Sequence, residues 1–150
     1  MKENKFQKRV KKQLENQGAF VINLHGHMMQ RAGLPDLFVL HRKWDGFLEL
    51  KVEQNKTSVI QRIVAAKIEL RGMPIYVLRC VERDSWDFVP PINLKANKIN
   101  TIKVPAYIYT LENFESKSIS QFDDLRGLLD TLVKIKQDKM LEKFMEQGKL

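Results

Sequence analysis

Residues 33–53 read GLPDLFVLHRKWDGFLELKVE, and the fold follows from how they pair. Two apolar runs, 36–41 and 46–53, are separated by Lys43-Trp44-Asp45-Gly46, whose Asp-Gly pair predicts a hairpin turn. Pro35 favours an extended backbone just ahead of the first run. Strand side chains alternate between faces. Leu48, Leu50 and Val52 therefore point one way, which must be the core, while Phe47, Glu49, Lys51 and Glu53 point the other. An acid and a base two residues apart on a strand stand side by side. Pairing of the two runs would bring Asp36 toward Glu49 at the open end of the hairpin.

Upstream, residues 3–17 predict a helix, with Phe6, Val10 and Leu14 forming one apolar stripe and Gly18 a terminator. Residues 19–25 predict a strand and 27–34 a loop, so 19–25, 36–41 and 46–53 make an antiparallel meander. Downstream, residues 58–71 predict a second helix with Ile60, Val64 and Ile68 on one face, closed by Gly72 and Pro74. A strand at 74–81 follows. Beyond it, 86–91 predicts an exit from the core and 102–110 a further strand. Residues 120–147 predict one long helix or two shorter ones, on the spacing of Phe122, Leu125, Leu129 and Leu132. That stripe could fold back on the core or pair with a second subunit. The whole predicts one α/β domain over 1–150, a mixed β-sheet flanked by helices. Its core covers about 3–83, with a helical C-terminal extension at 84–150.

Composition narrows the partners. The net charge is +8 and the pI about 9.6, which favours a polyanion because bound Lys and Arg release condensed counterions. The charge sits early: residues 1–43 hold nine Lys/Arg against three acids, whereas 112–150 hold seven against eight. Cys80 is the one cysteine, so no disulfide framework or cysteine-rich zinc site is available within the chain; a buried small hydrophobe is the simplest role. Residues 1–13 are charged throughout, unlike a signal peptide, and no apolar run approaches the ~18 residues that span a bilayer. The expectation is an intracellular, cytoplasmic protein without a membrane partner.

The chemistry follows from Asp36 and Glu49. Two carboxylates about 4 Å apart repel by up to about 4 kcal/mol at an effective dielectric of ~20. Whole domains are stable by only about 5–15 kcal/mol, so a divalent cation is the economical offset. Carboxylates with a backbone carbonyl suit Mg2+ or Mn2+, and the Leu50 carbonyl lies between the two functional side chains. Such an ion can activate water and stabilise charge on a phosphate, with Lys51 placed beside the nucleophile.

The string Gly33-Leu34-Pro35-Asp36-Leu37, then Glu49-Leu50-Lys51, resembles the motif of PD-(D/E)XK nucleases, whose core is restriction-endonuclease-like. In detail it resembles the VRR-NUC branch of phage proteins, DNA-repair nucleases and Holliday-junction-resolvase-like enzymes. That branch shows GxPDL, ExK, a Gln in the next helix and a Val-Arg-Arg-like tripeptide. Here these are Gly33–Leu37, Glu49–Lys51, Gln61 and Leu78-Arg79-Cys80, the last departing from the branch's own tripeptide. The resemblance spans roughly 3–83. It implies a Mg2+- or Mn2+-dependent DNA endonuclease, with branched or flap DNA as substrate in recombination or repair. It implies Asp36, Glu49 and Lys51 as the catalytic set, with Gln61 in support and Glu3 as a further metal acid. A branched substrate favours a homodimer, with 112–150 as the place for its contact.

Plainer readings stand beside these. Asp36 could be a turn residue, and Glu49 with Lys51 the solvated face of an edge strand. Gln61 fits a capping box with Ser58, and Glu3 suits a helix dipole. His25, His27 and Arg31 are strand-end residues or phosphate contacts at the mouth of the site. Lys8, Lys11 and Lys12 are a solvated helix face or a DNA track, and Trp44 packs a turn or stacks on a base. Two other function classes remain: a DNA-binding module of the same fold that does not cut, and a protein–protein adaptor working through the C-terminal helix.

Overall fold

The computed structural model describes residues 1–25, 31–89 and 100–148. Six strands form one mixed sheet: β1 (Phe20–Asn23), β2 (Leu37–His41), β3 (Trp44–Val52), β4 (Ile75–Val89), β5 (Asn100–Glu112) and β6 (Ser118–Phe122), adjacent in chain order. Only the β3–β4 pair is parallel; its crossover is the helix α2 (Val59–Glu69). The other pairs are antiparallel, and the two-residue turn Arg42-Lys43 allows no other pairing of β2 with β3. The mixed sheet flanked by helices is the architecture expected from the sequence.

The two faces of β3 are dressed differently. Leu48, Leu50 and Val52 join Phe6, Val10 and Leu14 of α1 (Glu3–Asn16) in the main core. Leu128, Leu129 and Leu132 of α3 (Leu128–Gln147) complete it. Fully burying each such side chain contributes about 1.5–3 kcal/mol, so this cluster carries much of the fold. Residues on both sides of position 83 belong to it. On the opposite face Phe47 and Ile68 pack against Ala65, Ile75, Val77 and Phe114, beneath α2. Helix ends follow local chemistry: Gly18 leaves α1 at φ +91°, and Ser58 and Gln61 form a complete capping box at α2. Among the described residues, no helix is long and apolar enough to cross a membrane.

Three expectations are corrected. The hairpin turn lies at Arg42-Lys43, with His41 opposite Trp44, so Asp45 and Gly46 are strand residues. Asp45 instead accepts the His41 amide at 3.0 Å. Gly46 serves close approach: a Cβ there would lie 2.6 Å from the Trp44 ring and 2.8 Å from the Pro74 carbonyl. Second, 86–89 continue β4 as strand, because β5 supplies an antiparallel partner along its length; positions 90 and 91 lie outside the described residues. Third, the expected helix begins only at Leu128. Residues 118–122 form β6, where Phe122 stacks on Tyr109 at 5.7 Å, and a 3-10 turn, Leu125–Gly127, intervenes.

Gly46→Ala should lower unfolding stability by about 1–3 kcal/mol, since the ring and a carbonyl must both shift. Urea denaturation measures this; an unchanged midpoint would contradict the packing described.

Candidate metal centre and active site

β3 lies inside the sheet, between β2 and β4, so Glu49 and Lys51 are not on an edge. Glu49 is 1% exposed and Lys51 8%. Asp36, just before β2, is 7% exposed and joins three segments. Its Oδ2 accepts the Leu50 amide at 2.7 Å, its carbonyl accepts the Leu24 amide at 2.9 Å, and its Oδ1 lies 3.0 Å from His25 Nε2. The turn ahead of it is held close to α2 by Gly33, at φ +84°, where a Cβ would meet the Ile60 carbonyl at 2.8 Å. That contact is the physical reason for a glycine in GLPD.

Glu49 gathers the rest. Its Oε1 accepts from Gln61 Nε2 at 3.0 Å and faces Lys51 Nζ at 3.6 Å. Gln61 thus does two jobs: its backbone and Oε1 close the capping box while its Nε2 holds Glu49. Glu49 Oε2 is buried with no hydrogen-bond partner among the described residues. An unsatisfied buried acceptor costs about 1–3 kcal/mol, more for a charged group. Burial, then the neighbouring Asp36 charge, push the Glu49 carboxyl up to about 8; Lys51 opposes this, while the close approach of the Asp36 carboxyl and the charge of Glu3 add to it. Glu3 at the start of α1 is also raised, first by burial, with Lys51 and His25 lowering it and Asp36 raising it. Its charge is therefore felt by the same group of residues.

One ligand atom each from His25, Asp36 and Glu49 lies within 4.8 Å of the others. The orphaned Glu49 oxygen and this donor set fit a divalent cation, which would take the place of the proton that Glu49 otherwise keeps.

The remaining candidates separate. His25 stands against Asp36, its side chain 44% exposed, and its backbone N–H donates to Asn23 Oδ1 at 2.8 Å. The β1–β2 pairing, Asn23 opposite Leu37, sets Leu24 across from Asp36 and so brings the next residue, His25, beside it; the meander read from the sequence was the signal available. Lys8, Lys12 and Arg31 are exposed, and Lys11 is half-buried and faces Glu15 at 3.8 Å. Among the described residues, no hydrogen bond or ion pair joins these four to Asp36 or Glu49. His27 lies outside the described residues. Trp44 is buried against Tyr76, ring centroids 6.5 Å apart, and so packs the core rather than offering a face for a base.

No family model matches the chain, and no curated protein matches it. Among solved structures the chain is similar to Archaeoglobus fulgidus Hjc, a Holliday junction resolvase from an archaeal hyperthermophile. The TM-score is 0.46 at 14% identity, over 83% of this chain and 92% of that one.

The raised Glu49 carboxyl fixes the sign of a pH effect. Between its ordinary value of 4.5 and about 8 the unfolded chain has released a proton that the folded chain retains. The group's contribution is therefore fully present below 4.5 and is lost as pH rises through about 8. Without metal, Glu49→Gln should gain stability relative to the wild type as pH rises through this window, by up to about 1.4 kcal/mol for each pH unit. Millimolar Mn2+ should stabilise only the wild type at pH 8. Parallel pH profiles of the two proteins would contradict this.

Proposed function

We propose that the chain is a divalent-metal-dependent nuclease of the PD-(D/E)XK type that hydrolyses DNA phosphodiester bonds internally. The observation that carries this reading is the buried Glu49. It is held by Gln61 and Lys51 through one oxygen, unpartnered among the described residues at the other, and placed beside Asp36. A solvated strand face or an ordinary turn has no use for such an arrangement.

Asp36 and Glu49 would hold the cation, with His25 as a nitrogen donor, the Leu50 carbonyl as an oxygen donor and Glu3 as a further acid. When bound, the cation supplies Lewis acidity and charge neutralisation at the scissile phosphate. The protein's own contribution is positional. Gln61 fixes the Glu49 carboxylate, and the Leu50 amide fixes Asp36. Lys51, its ammonium directed to Glu49, donates hydrogen bonds to the attacking water or to a phosphate oxygen as negative charge builds. Mg2+ and Mn2+ both fit a set dominated by oxygen.

Finer assignments rest on the motif resemblance and the charge. These are the VRR-NUC branch of phage type, branched or flap DNA as substrate, a role in recombination or repair, and an intracellular, cytoplasmic place of action. Lys8, Lys11, Lys12 and Arg31 would then track the DNA backbone away from the metal. A homodimer would place two sites on one branched substrate. Met140, Leu141, Phe144 and Met145 are exposed along the last turns of α3, where the second subunit would dock.

Cleavage of single-strand, duplex, flap and four-way DNA with Mg2+ or Mn2+ tests the reading. Glu49→Ala and Lys51→Ala should each cut at least about 100-fold more slowly while binding DNA as before. Affinity should fall with salt by roughly 0.9 log units per log unit for each duplex phosphate engaged. A wild type that binds but never cuts would be the non-cleaving DNA-binding module. Salt-insensitive binding of a protein partner without DNA affinity would favour the adaptor.

A further inference from the structure

The turn that joins β3 to α2 delivers two side chains to the same oxygen of Glu49: Lys51 from the strand behind it and Gln61 from the helix ahead. This turn is unusually constrained. Glu53 sits at φ +51°, a left-handed conformation that a glutamate adopts only under compulsion. Three contacts impose it. The Glu53 amide donates to the Cys80 carbonyl at 2.9 Å, its Oε1 accepts the Glu82 amide at 3.0 Å, and its carbonyl accepts from Arg79 Nη1 at 2.8 Å. The same Nη1 reaches the Asn55 carbonyl at 2.6 Å. The other side of the guanidinium is gripped by Glu112 of β5, Nε to Oε2 at 2.8 Å and Nη2 to Oε1 at 3.3 Å.

Arg79 is also the direct neighbour of Lys51 in the parallel β3–β4 register, on the same face of the sheet. A second cation beside Lys51 would repel it, and Glu112 supplies the compensating charge. Both partners are largely buried, at 14% and 11% side-chain exposure, so the pair is shielded from solvent and salt. A planar fork that bonds a carboxylate on one edge and two carbonyls on the other is chemistry that a lysine cannot reproduce.

We propose that Arg79, locked by Glu112, is a positioning residue of the site: it clamps the 53–55 turn and so sets Lys51 and Gln61 against Glu49. The proposal rests on the nuclease reading for its kinetic consequence, but the clamp itself has a readout independent of cleavage.

The test compares wild type with Arg79→Lys and Glu112→Gln, the latter keeping an acceptor should the former fail to fold. Assays run well below each variant's unfolding temperature. Arg79→Lys should lower kcat for DNA cleavage about 10- to 100-fold, as small misplacements of catalytic groups do, with KM changed less than about threefold. Glu112→Gln should lose less. Amide hydrogen exchange over 53–61 should speed up by about tenfold in Arg79→Lys while β1 and β2 exchange as in wild type. Wild-type kcat with wild-type exchange over 53–61 overturns the proposal. So does a kcat loss accompanied by uniformly faster exchange throughout the chain, which marks a merely structural role. If no variant, wild type included, cuts DNA, the nuclease reading fails, and the exchange result alone decides whether the clamp exists.

Discussion

The structure turns on one unfavourable juxtaposition. Two carboxylates, Asp36 and Glu49, are buried together, and among the described residues the Lys51 ammonium is the full positive charge set closest to Glu49. Burial, then the Asp36 charge, push the Glu49 carboxyl up to about 8. Such a centre is costly to a fold of ordinary stability, and perturbed carboxyls of this kind cluster at functional sites. The donor set around it and the unpartnered Glu49 oxygen make a cation the chemical answer to the same conflict.

Much of the architecture can be understood as what holds this pair in place. The β1–β2–β3 meander carries His25 to Asp36, and Asp36 in turn to the Leu50 amide. Gly33 lets the turn before Asp36 lie against α2, and α2 returns Gln61 to Glu49. The leucines and valine on the other side of β3 bind the strand to α1 and α3, so the site stands on the main core of the protein. Charged chemistry on one face is thus offset by apolar burial on the other. The period-2 alternation of one nine-residue strand makes both possible.

That alternation is why so much was legible in the sequence. The sidedness of 47–52, the stripe of Phe6, Val10 and Leu14, and the capping box at Ser58 are local patterns, and each is present in the structure. That Asp36 approaches Glu49 was legible from the pairing of the two runs and from the motif they carry, although the turn that sets the register lies at Arg42-Lys43 and not at Asp45-Gly46. What escaped depended on partners far away in the chain. Gly46 reads as a turn residue until Trp44 and Pro74 are seen pressing on it. Residues 120–122 read as helix until β5 offers them a ladder, and the helical period across Phe122 and Leu125 is broken by a turn that only tertiary packing selects. The contact of His25 with Asp36 escaped because the two are eleven positions apart and become adjacent only through strand pairing.

On this view Asp36 and Glu49 are together because they bind a cation. Anomalous diffraction from crystals grown with Mn2+ would locate the ion. The expected result is a peak about 2.0–2.4 Å from a carboxylate oxygen of each residue, the one on Glu49 being the oxygen without a hydrogen-bond partner among the described residues. Manganese bound only elsewhere, with Glu49 still held by Gln61 and Lys51 alone, would contradict it.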